Sequence, residues 1–153
     1  MRGLLLVLLF LFGSAAALGQ PDPRTTMSFD VADHRWTHRL LLVFAPSDEH
    51  PQLLAQRQMA TGFAEGFRDR DLLFISVLEK GESLVDNRLI DQASVEKLRT
   101  RYGIEPDDFA VILVGKDGTE KRRSERPIPI EDLFEQIDQM PMRMRELQQR
   151  GQG

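Results

Sequence analysis

Three short apolar runs without regular polar alternation constrain the fold of this chain more than any other feature. They lie at residues 40–44, 72–78 and 109–114. A strand with one face in water alternates apolar and polar residues, whereas a strand covered on both faces is apolar throughout. These runs are shorter than most helices, so each one predicts a buried strand of a mostly parallel sheet.

Helical patterns separate and follow these runs. Residues 51–68 show apolar side chains at helical spacing and begin with Pro51, which suits a first turn, although two glycines lie within the segment. Ser94 is predicted to cap a helix over 95–102 that Gly103 ends. A last amphipathic helix is predicted over residues 130–140. Residues 79–91 are polar and are interpreted as a loop.

The third run leads into a predicted hairpin. Residues 116–118 read Lys-Asp-Gly, a turn sequence, and the highly charged residues 119–123 that follow suit the edge of a sheet. The resulting order, β-α-β-α-β-β-α, predicts an α/β domain with a four-stranded mixed central sheet flanked by helices. We place this domain at residues 28–146, between a flexible lead-in at 20–27 and a polar tail at 147–153.

The N-terminus has the features of a signal peptide over residues 1–19. Arg2 is followed by an apolar run at residues 4–12 and by small residues at 14–17. The run is about half the roughly 20 residues that a membrane-spanning helix needs. We therefore predict an exported protein, periplasmic or secreted, with no stable membrane span after cleavage of the signal.

The chain contains no cysteine. This excludes catalytic thiols, disulfide exchange and thiolate metal sites, so the chain is neither a thiol-disulfide oxidoreductase nor a cysteine peroxidase. The formal net charge of −4 gives no support for nucleic-acid binding, and none is predicted.

The order of elements is that of thioredoxins, and residues 102–104, 109–114 and 116–118 together resemble the second half of one. The chain also closely resembles a bacterial family of exported proteins, the domain of unknown function 4174. The segments that carry this resemblance are 39–46 (RLLLVFAP), 70–72 (RDL), 115–118 (GKDG) and 137–143 (IDQMPMR). That family is similar in turn to the peroxiredoxin-like domain of some animal extracellular-matrix proteins. The resemblance implies a thioredoxin-like fold and an exported location, and it implies no established activity.

Two departures from working thioredoxins concern their chemistry. A thioredoxin carries Cys-x-x-Cys in the loop after its first central strand, where the helix N-terminus lowers the thiol pKa. Here that loop is residues 46–51, Pro-Ser-Asp-Glu-His-Pro. Alignment on the Lys-Asp-Gly turn puts Ala110 where a redox thioredoxin has its cis-proline. The resemblance therefore implies a scaffold that lacks the redox centre.

Ser47, Asp48, Glu49 and His50 occupy the position of the missing active site. A serine beside a histidine is the pairing of a nucleophile with its base. Adjacent residues at a helix start seldom face each other, however, so we favour capping of the helix by Ser47 or Asp48.

The strand order places the loop before the third strand at the same end, and with it Asp107 and Asp108. Asp86, in the predicted loop 79–91, is expected there too. Carboxylates are the ligands that calcium prefers, but no EF-hand spacing exists. We favour solvated acidic loops and predict no metal and no cofactor.

Basic residues are predicted at the opposite end and along the charged strand. Arg39 is expected at that end, near the Lys-Asp-Gly turn. The predicted basic patch consists of Lys121, Arg122, Arg123 and Arg126. Such a patch is suited to an anionic partner or to membrane headgroups; protection of the sheet edge is the alternative that we favour.

Two smaller patterns complete the set of candidates. His34 and His38 are four residues apart, with Trp36 between them expected to pack on the domain edge. Met140, Met142 and Met144 alternate with Arg143 and Arg145, which suits an adaptable binding stripe. We favour a seal over the core by Met140 and Met142, with the arginines near the helix C-terminus or paired to Glu135 or Asp138.

We predict an uncharacterised exported protein whose non-redox thioredoxin-like domain is a binding or interaction module for a protein or a small anionic ligand. The alternative is a cysteine-independent enzyme, a hydrolase or an antioxidant, that uses the loop at 46–51. The candidate binding residues are Ser47, Asp48, Glu49, His50, Asp107 and Asp108.

Overall fold

The computed structural model describes residues 25–151, so the predicted signal peptide lies outside the described residues. The strands are β1 (Arg39–Ser47), β2 (Leu72–Lys80), β3 (Leu84–Val85), β4 (Arg88–Leu89), β5 (Ala110–Val114) and β6 (Glu120–Ser124). The helices are α1 (Pro51–Ala60), α2 (Ala64–Asp69), α3 (Gln92–Tyr102), α4 (Ile130–Asp138) and α5 (Pro141–Arg150). A 3₁₀ turn over Val31–His34 precedes β1.

All six strands form one mixed sheet in the order β4-β3-β2-β1-β5-β6. β1 pairs with β2 in parallel, and the other neighbours are antiparallel. This confirms the α/β class with a mixed sheet between helices. The predicted number of four strands is wrong, because β3 and β4 form a hairpin inside the segment that was interpreted as a loop. Asp86 and Asn87 turn this hairpin with φ of 48° and 61°.

The unalternating apolar strands are buried on both faces, as their composition predicts. In β1, Leu40, Leu42 and Phe44 contribute to a core that also contains residues of α3. The intervening Leu41 and Val43 contribute to a second core with residues of α1 and α4. Because successive side chains of a strand point to opposite faces, a strand between two cores needs apolar residues at every position.

The helix predicted over 51–68 is two helices, α1 and α2, separated at Thr61–Phe63. Gly62 has φ of +89°, a conformation that glycine adopts without strain, and it ends the first helix. Gly66 lies in α2 directly under the ring of Phe134 of α4, where a Cβ atom would overlap the ring. The two glycines therefore have separate roles, a break and a close packing contact.

α3 begins earlier than predicted and has a different cap. The Asp91 carboxylate accepts a hydrogen bond from the Ser94 amide at 2.7 Å, so Asp91 and not Ser94 is the N-cap. The Ser94 hydroxyl instead accepts from the Phe29 amide at 2.9 Å. Gly103 ends the helix in the left-handed conformation, as predicted.

The C-terminal region differs most from the prediction. α4 ends at Asp138, and Pro141 begins a further helix, α5, which was not predicted and which continues to Arg150, within the predicted polar tail. The face that α5 turns inward includes Arg143, which is 1% exposed. Because the inward face of α5 includes a charged side chain, the sequence of this helix lacks the apolar periodicity from which a helix is predicted. No helix within residues 25–151 combines the length and apolar character needed to cross a membrane.

Candidate functional site

The loop end of the sheet, which we define as residues 46–51 and 105–109, is where the candidate binding residues were predicted. Ser47 at the end of β1 pairs with Lys80 of β2, and Phe44 of β1 pairs with Ala110 at the start of β5. These pairings bring the two loops to the same end of the sheet, as the strand order predicts.

Neither predicted cap holds the start of α1. The N-cap is His50, whose side chain makes no capping hydrogen bond, so capping by Ser47 or Asp48 is wrong. The His50 ring instead stacks on Phe109, with ring centroids 5.7 Å apart and planes 11° apart. Its Nδ1 atom is buried and has no hydrogen-bond partner among the described residues.

The geometry of the loop does not assemble a nucleophile and a base. Ser47 and His50 are joined through the backbone, where the His50 amide donates to the Ser47 carbonyl at 3.3 Å. No hydrogen bond joins the Ser47 hydroxyl to the His50 ring within residues 25–151. Asp48 and Glu49 are exposed. A general base must reach the hydroxyl proton that it removes, and the stacked ring of His50 does not.

Asp107 and Asp108 line a small cavity of about 340 Å³ at the loop end. The Asp108 carboxylate accepts a hydrogen bond from the Glu105 amide at 2.8 Å and so closes its own loop. Gln52 and Arg123 also line the cavity, whereas residues 47–50 do not. The six candidate residues therefore share one end of the sheet without sharing a pocket.

Asp86 lies away from the loop end, contrary to the prediction. β3 runs antiparallel to β2, with Ile75 opposite Val85, so the β3–β4 turn returns toward the start of β2. There Asp86 lines a cavity of about 670 Å³ together with His38 and Asp71. The error follows from treating residues 79–91 as one loop when they contain two strands.

The predicted basic patch is divided between the two ends. β6 runs antiparallel to β5, so Lys121 lies near the turn after β5 and pairs with Asp117 at 2.7 Å. Arg123 lines the cavity that also contains Asp107 and donates to the Tyr102 carbonyl at 3.0 Å. Lys121 and Arg123 therefore line different cavities, and both lie on β6, which is an edge strand of the sheet as predicted.

A network of buried and half-buried charges occupies the opposite end of the sheet, which we call the ionic end. It consists of Arg39, Asp69, Arg70, Asp71, Lys116, Asp138, Arg143 and Glu146. The Arg39 side chain is 1% exposed and binds Glu146 at 3.1 Å and the Arg70 carbonyl at 2.7 Å. The Lys116 ammonium bridges Glu146 at 2.8 Å and Asp71 at 2.7 Å.

The second half of the ionic end connects α5 to α2 and α4. Arg143 pairs with Asp138 at 3.1 Å and also with Asp69. The pairing with Asp138 is one of the two that were predicted for these arginines. Arg70 binds Asp138 from the other side at 2.6 Å. Since these partners come from three helices, the ion pairs fix the position of α5.

The charges of this end set the pKa values of their partners. Burial opposes ionisation of Glu146, but hydrogen bonds from Lys116 and Arg39 outweigh it and hold the pKa of Glu146 below its usual value. Burial acts against the charge of Arg143 in the same way, and hydrogen bonds to Asp69 and Asp138 raise its pKa. Both groups stay charged in the folded protein at neutral pH.

Six of the eight residues of the ionic end, all but Asp69 and Glu146, come from the segments that carry the family resemblance. Arg39 comes from 39–46, Arg70 and Asp71 come from 70–72, Lys116 comes from 115–118, and Asp138 and Arg143 come from 137–143. Sequence reasoning did not detect the network, because its partners are up to 107 residues apart and no spacing rule connects them. The available signal was an arginine placed directly before a buried apolar run.

The segment before β1 also differs from its prediction. Trp36 does not pack on the domain edge; its side chain is 60% exposed and its φ is 69°. His34 and His38 do approach each other, with ring centroids 5.8 Å apart. Burial and the neighbouring charge of His38 lower the pKa of His34, which favours its neutral form.

Comparison with known proteins places this sequence in a family. A family model described as "Domain of unknown function (DUF4174)" matches residues 30–146. Coiled-coil domain-containing protein 80 of Danio rerio is 29% identical over 146 residues, covering 84% of this chain and 16% of that protein. Sushi repeat-containing protein SRPX2 of Xenopus laevis is 28% identical over 116 residues, covering 72% of this chain and 25% of that protein.

The two relatives are much longer proteins than this one. The chain spans about a sixth and a quarter of their lengths. The family model covers all six strands, helices α1 to α4 and the start of α5. Because the family model covers well over half of the chain, this protein belongs to the family of the domain of unknown function DUF4174.

Proposed function

We propose that this protein is an exported, non-catalytic binding module with a thioredoxin-like scaffold. The parallel β1-α1-α2-β2 unit, followed by the antiparallel β5–β6 hairpin and α4, is the arrangement that thioredoxins use. The observation that carries the proposal is at the loop end. The residues in place of Cys-x-x-Cys are a ring stacked on Phe109 and two exposed carboxylates, with no group positioned to activate another.

The relatives support a role in interactions. Their names describe a coiled-coil domain and sushi repeats, and the region similar to this chain is a minor part of each. A unit that folds around its own two cores and occurs within longer proteins suits a binding module. Export rests on the signal-peptide features of residues 1–19.

The proposal is tested by affinity capture. The tagged full chain is expressed with its own N-terminus, recovered from the exported fraction of its source, cross-linked, and analysed by quantitative mass spectrometry. We expect at least one protein that is retained in near-stoichiometric amount and displaced by excess untagged chain. Absence of any displaceable protein, together with absence of a bound small molecule in native mass spectrometry, contradicts the proposal.

The competing hypothesis is a cysteine-independent enzyme at the loop end. A chain carrying Ser47→Ala, Asp48→Ala and His50→Ala together separates the two, with hydrolysis of model esters and consumption of hydrogen peroxide as the assays. We expect neither activity in the wild-type chain above the level of a heat-denatured sample. A catalytic activity that the triple variant loses while its Tm is retained favours the enzyme instead.

A further inference from the structure

A groove of about 570 Å³ lies beside the ionic end, on a surface that none of the candidate binding residues reaches. The β5–β6 turn and the start of β6 line it on one side, and the end of α4 and the start of α5 line it on the other. Its lining includes Trp36, Arg39, Lys116, Asp117, Lys121, Met140, Met142 and Arg145. The groove therefore combines basic, aromatic and thioether side chains.

The charges that line the groove are predominantly positive. Four cations face one carboxylate, Asp117. Burial opposes the ionisation of Asp117, but hydrogen bonds from Lys121 and Thr119 lower its pKa to about 2, so this single negative charge is constant at neutral pH.

The cations differ in how far they are already neutralised. Lys116 is paired behind the groove with Asp71 and Glu146, and Lys121 is paired with Asp117. Arg145, in contrast, donates to the Pro141 carbonyl at 3.3 Å and forms no ion pair within residues 25–151. Arg39 is 1% exposed and is paired with Glu146 at 3.1 Å, so its charge is also neutralised. Arg145 is therefore the cation that the groove offers to a ligand without an ion-pair partner among the described residues.

The apolar part of the groove is adaptable and partly exposed. Met140 and Met142 are half-buried, and the flexible thioether side chain fits apolar partners of different shape. Trp36, at 60% exposed, lies at the rim with a φ of 69° that a bulky residue rarely adopts. Its amide donates to the Lys116 carbonyl at 2.6 Å, a bond that ties this backbone to the β5–β6 turn. Strained backbone that the surrounding structure maintains occurs preferentially at binding sites.

We propose that this groove binds an acidic peptide segment of a partner protein in which apolar side chains are interspersed among carboxylates. The inference rests on the proposed function as a binding module and names the partner chemistry and the surface. Carboxylates complement Arg145 and Lys121, and apolar side chains complement Trp36 and the methionines. A bare inorganic anion leaves the apolar part of the groove unused, whereas a peptide with both carboxylates and apolar side chains contacts both parts.

The test uses Trp36, the one tryptophan in the chain, as a reporter inside the groove. The full chain is titrated at low salt with the peptide Glu-Glu-Leu-Glu-Glu-Phe-Glu-Glu, and binding is followed by tryptophan emission and by calorimetry. A peptide with glutamine at every glutamate position is the control ligand. We expect saturable binding of the acidic peptide with a change in Trp36 emission, and binding of the control peptide weaker by about tenfold or more.

A matched pair of variants locates the binding. Arg145→Glu reverses the unpaired charge in the groove, and Arg126→Glu reverses an exposed charge beyond the end of β6. We expect a loss of affinity of about tenfold or more for the first and a change within about twofold for the second, with both variants folded by circular dichroism. Equal affinity of the two variants, or equal affinity of the two peptides, overturns the proposal.

The remaining outcomes distinguish this inference from the proposed function. If phosphatidylserine vesicles bind the chain and the acidic peptide does not, the groove assignment is wrong. If the captured partner binds Arg145→Glu as tightly as the wild type, the chain is still a binding module and the groove is not its binding surface. If no partner is captured and the peptide still binds at the groove, the proposed function fails while the groove assignment stands.

Discussion

At the loop end of the sheet, four consecutive polar residues at 47–50 make few side-chain interactions, whereas at the ionic end eight charged residues bind one another around three buried cations, Arg39, Lys116 and Arg143. The first set begins at the last residue of β1, and its His50 ring stacks on Phe109. The second set joins β1, the turn before β2 and the turn after β5 to three helices. Charged residues in a sequence are therefore poor indicators of a site until their partners are known.

The largest expected difference between the ends concerns Glu146, which is 18% exposed. Glu146→Gln leaves Arg39 and Lys116 without their shared carboxylate in a buried environment, and we expect a loss of about 3 kcal/mol in the free energy of unfolding. Urea denaturation measures it. Glu49→Gln at the loop end is the matched control, expected within about 0.5 kcal/mol. Equal losses in the two variants would remove the distinction between the ends.

A second variant tests the contacts of α5 with α2 and α4. Arg143→Met keeps the length of the side chain but removes the bonds to Asp138 and Asp69. Because both carboxylates are partly exposed and are rehydrated, we expect a smaller loss, about 2 kcal/mol. Arg145→Met, two residues along and exposed, is the control in the same denaturation experiment. A loss below about 0.5 kcal/mol for Arg143→Met contradicts a structural role of the buried arginine.

Acidification is expected to act through the ionic end. The pKa of Glu146 is lower in the folded protein than its ordinary value of 4.5, so the folded state binds fewer protons than the unfolded state near that pH. The stabilisation is complete above about pH 5 and is lost as the pH falls through the folded pKa. Thermal unfolding at pH 6 and pH 3.5 measures it. We expect a steeper fall in Tm for the wild type than for Glu146→Gln, and parallel falls contradict the assignment.

The smallest effect is expected at the loop end. Ser47→Ala combined with Asp48→Ala removes two polar side chains that do not cap α1, so the free energy of unfolding should change by less than about 0.5 kcal/mol. Asp91→Ala removes a cap that is present in α3 and should cost about 1 kcal/mol. If the double variant costs as much as Asp91→Ala in chemical denaturation, the loop is a capping motif after all.

The central strands were predictable because a short uninterrupted apolar run indicates a strand that is buried on both faces. Leu40 to Phe44 and Val111 to Val114 are apolar at successive positions, and a strand between two cores requires this. β3 and β4 were not predictable in the same way, since each has two residues and shows no period. The available signal was the Asp86-Asn87 dipeptide, since both residue types tolerate the positive φ that they adopt in this turn.

The strand order predicted which loops lie at the same end of the sheet, but it did not predict most of the side-chain contacts that form there. The strand order placed Asp107 near residues 46–51, because β5 begins where β1 ends. It did not indicate that α5 would bury Arg143, because amphipathic analysis assumes an apolar inward face. A helix held by ion pairs to residues tens of positions away leaves no local pattern.

Native-state hydrogen exchange tests most directly whether ion pairs fix α5 to the sheet. We predict that the α5 amides exchange with free energies close to those of β1 and β5, and that Glu146→Gln lowers the protection of α5 before that of the strands. α5 amides that exchange as fast as an unstructured peptide, while β1 and β5 stay protected in the same wild-type sample, would contradict the account.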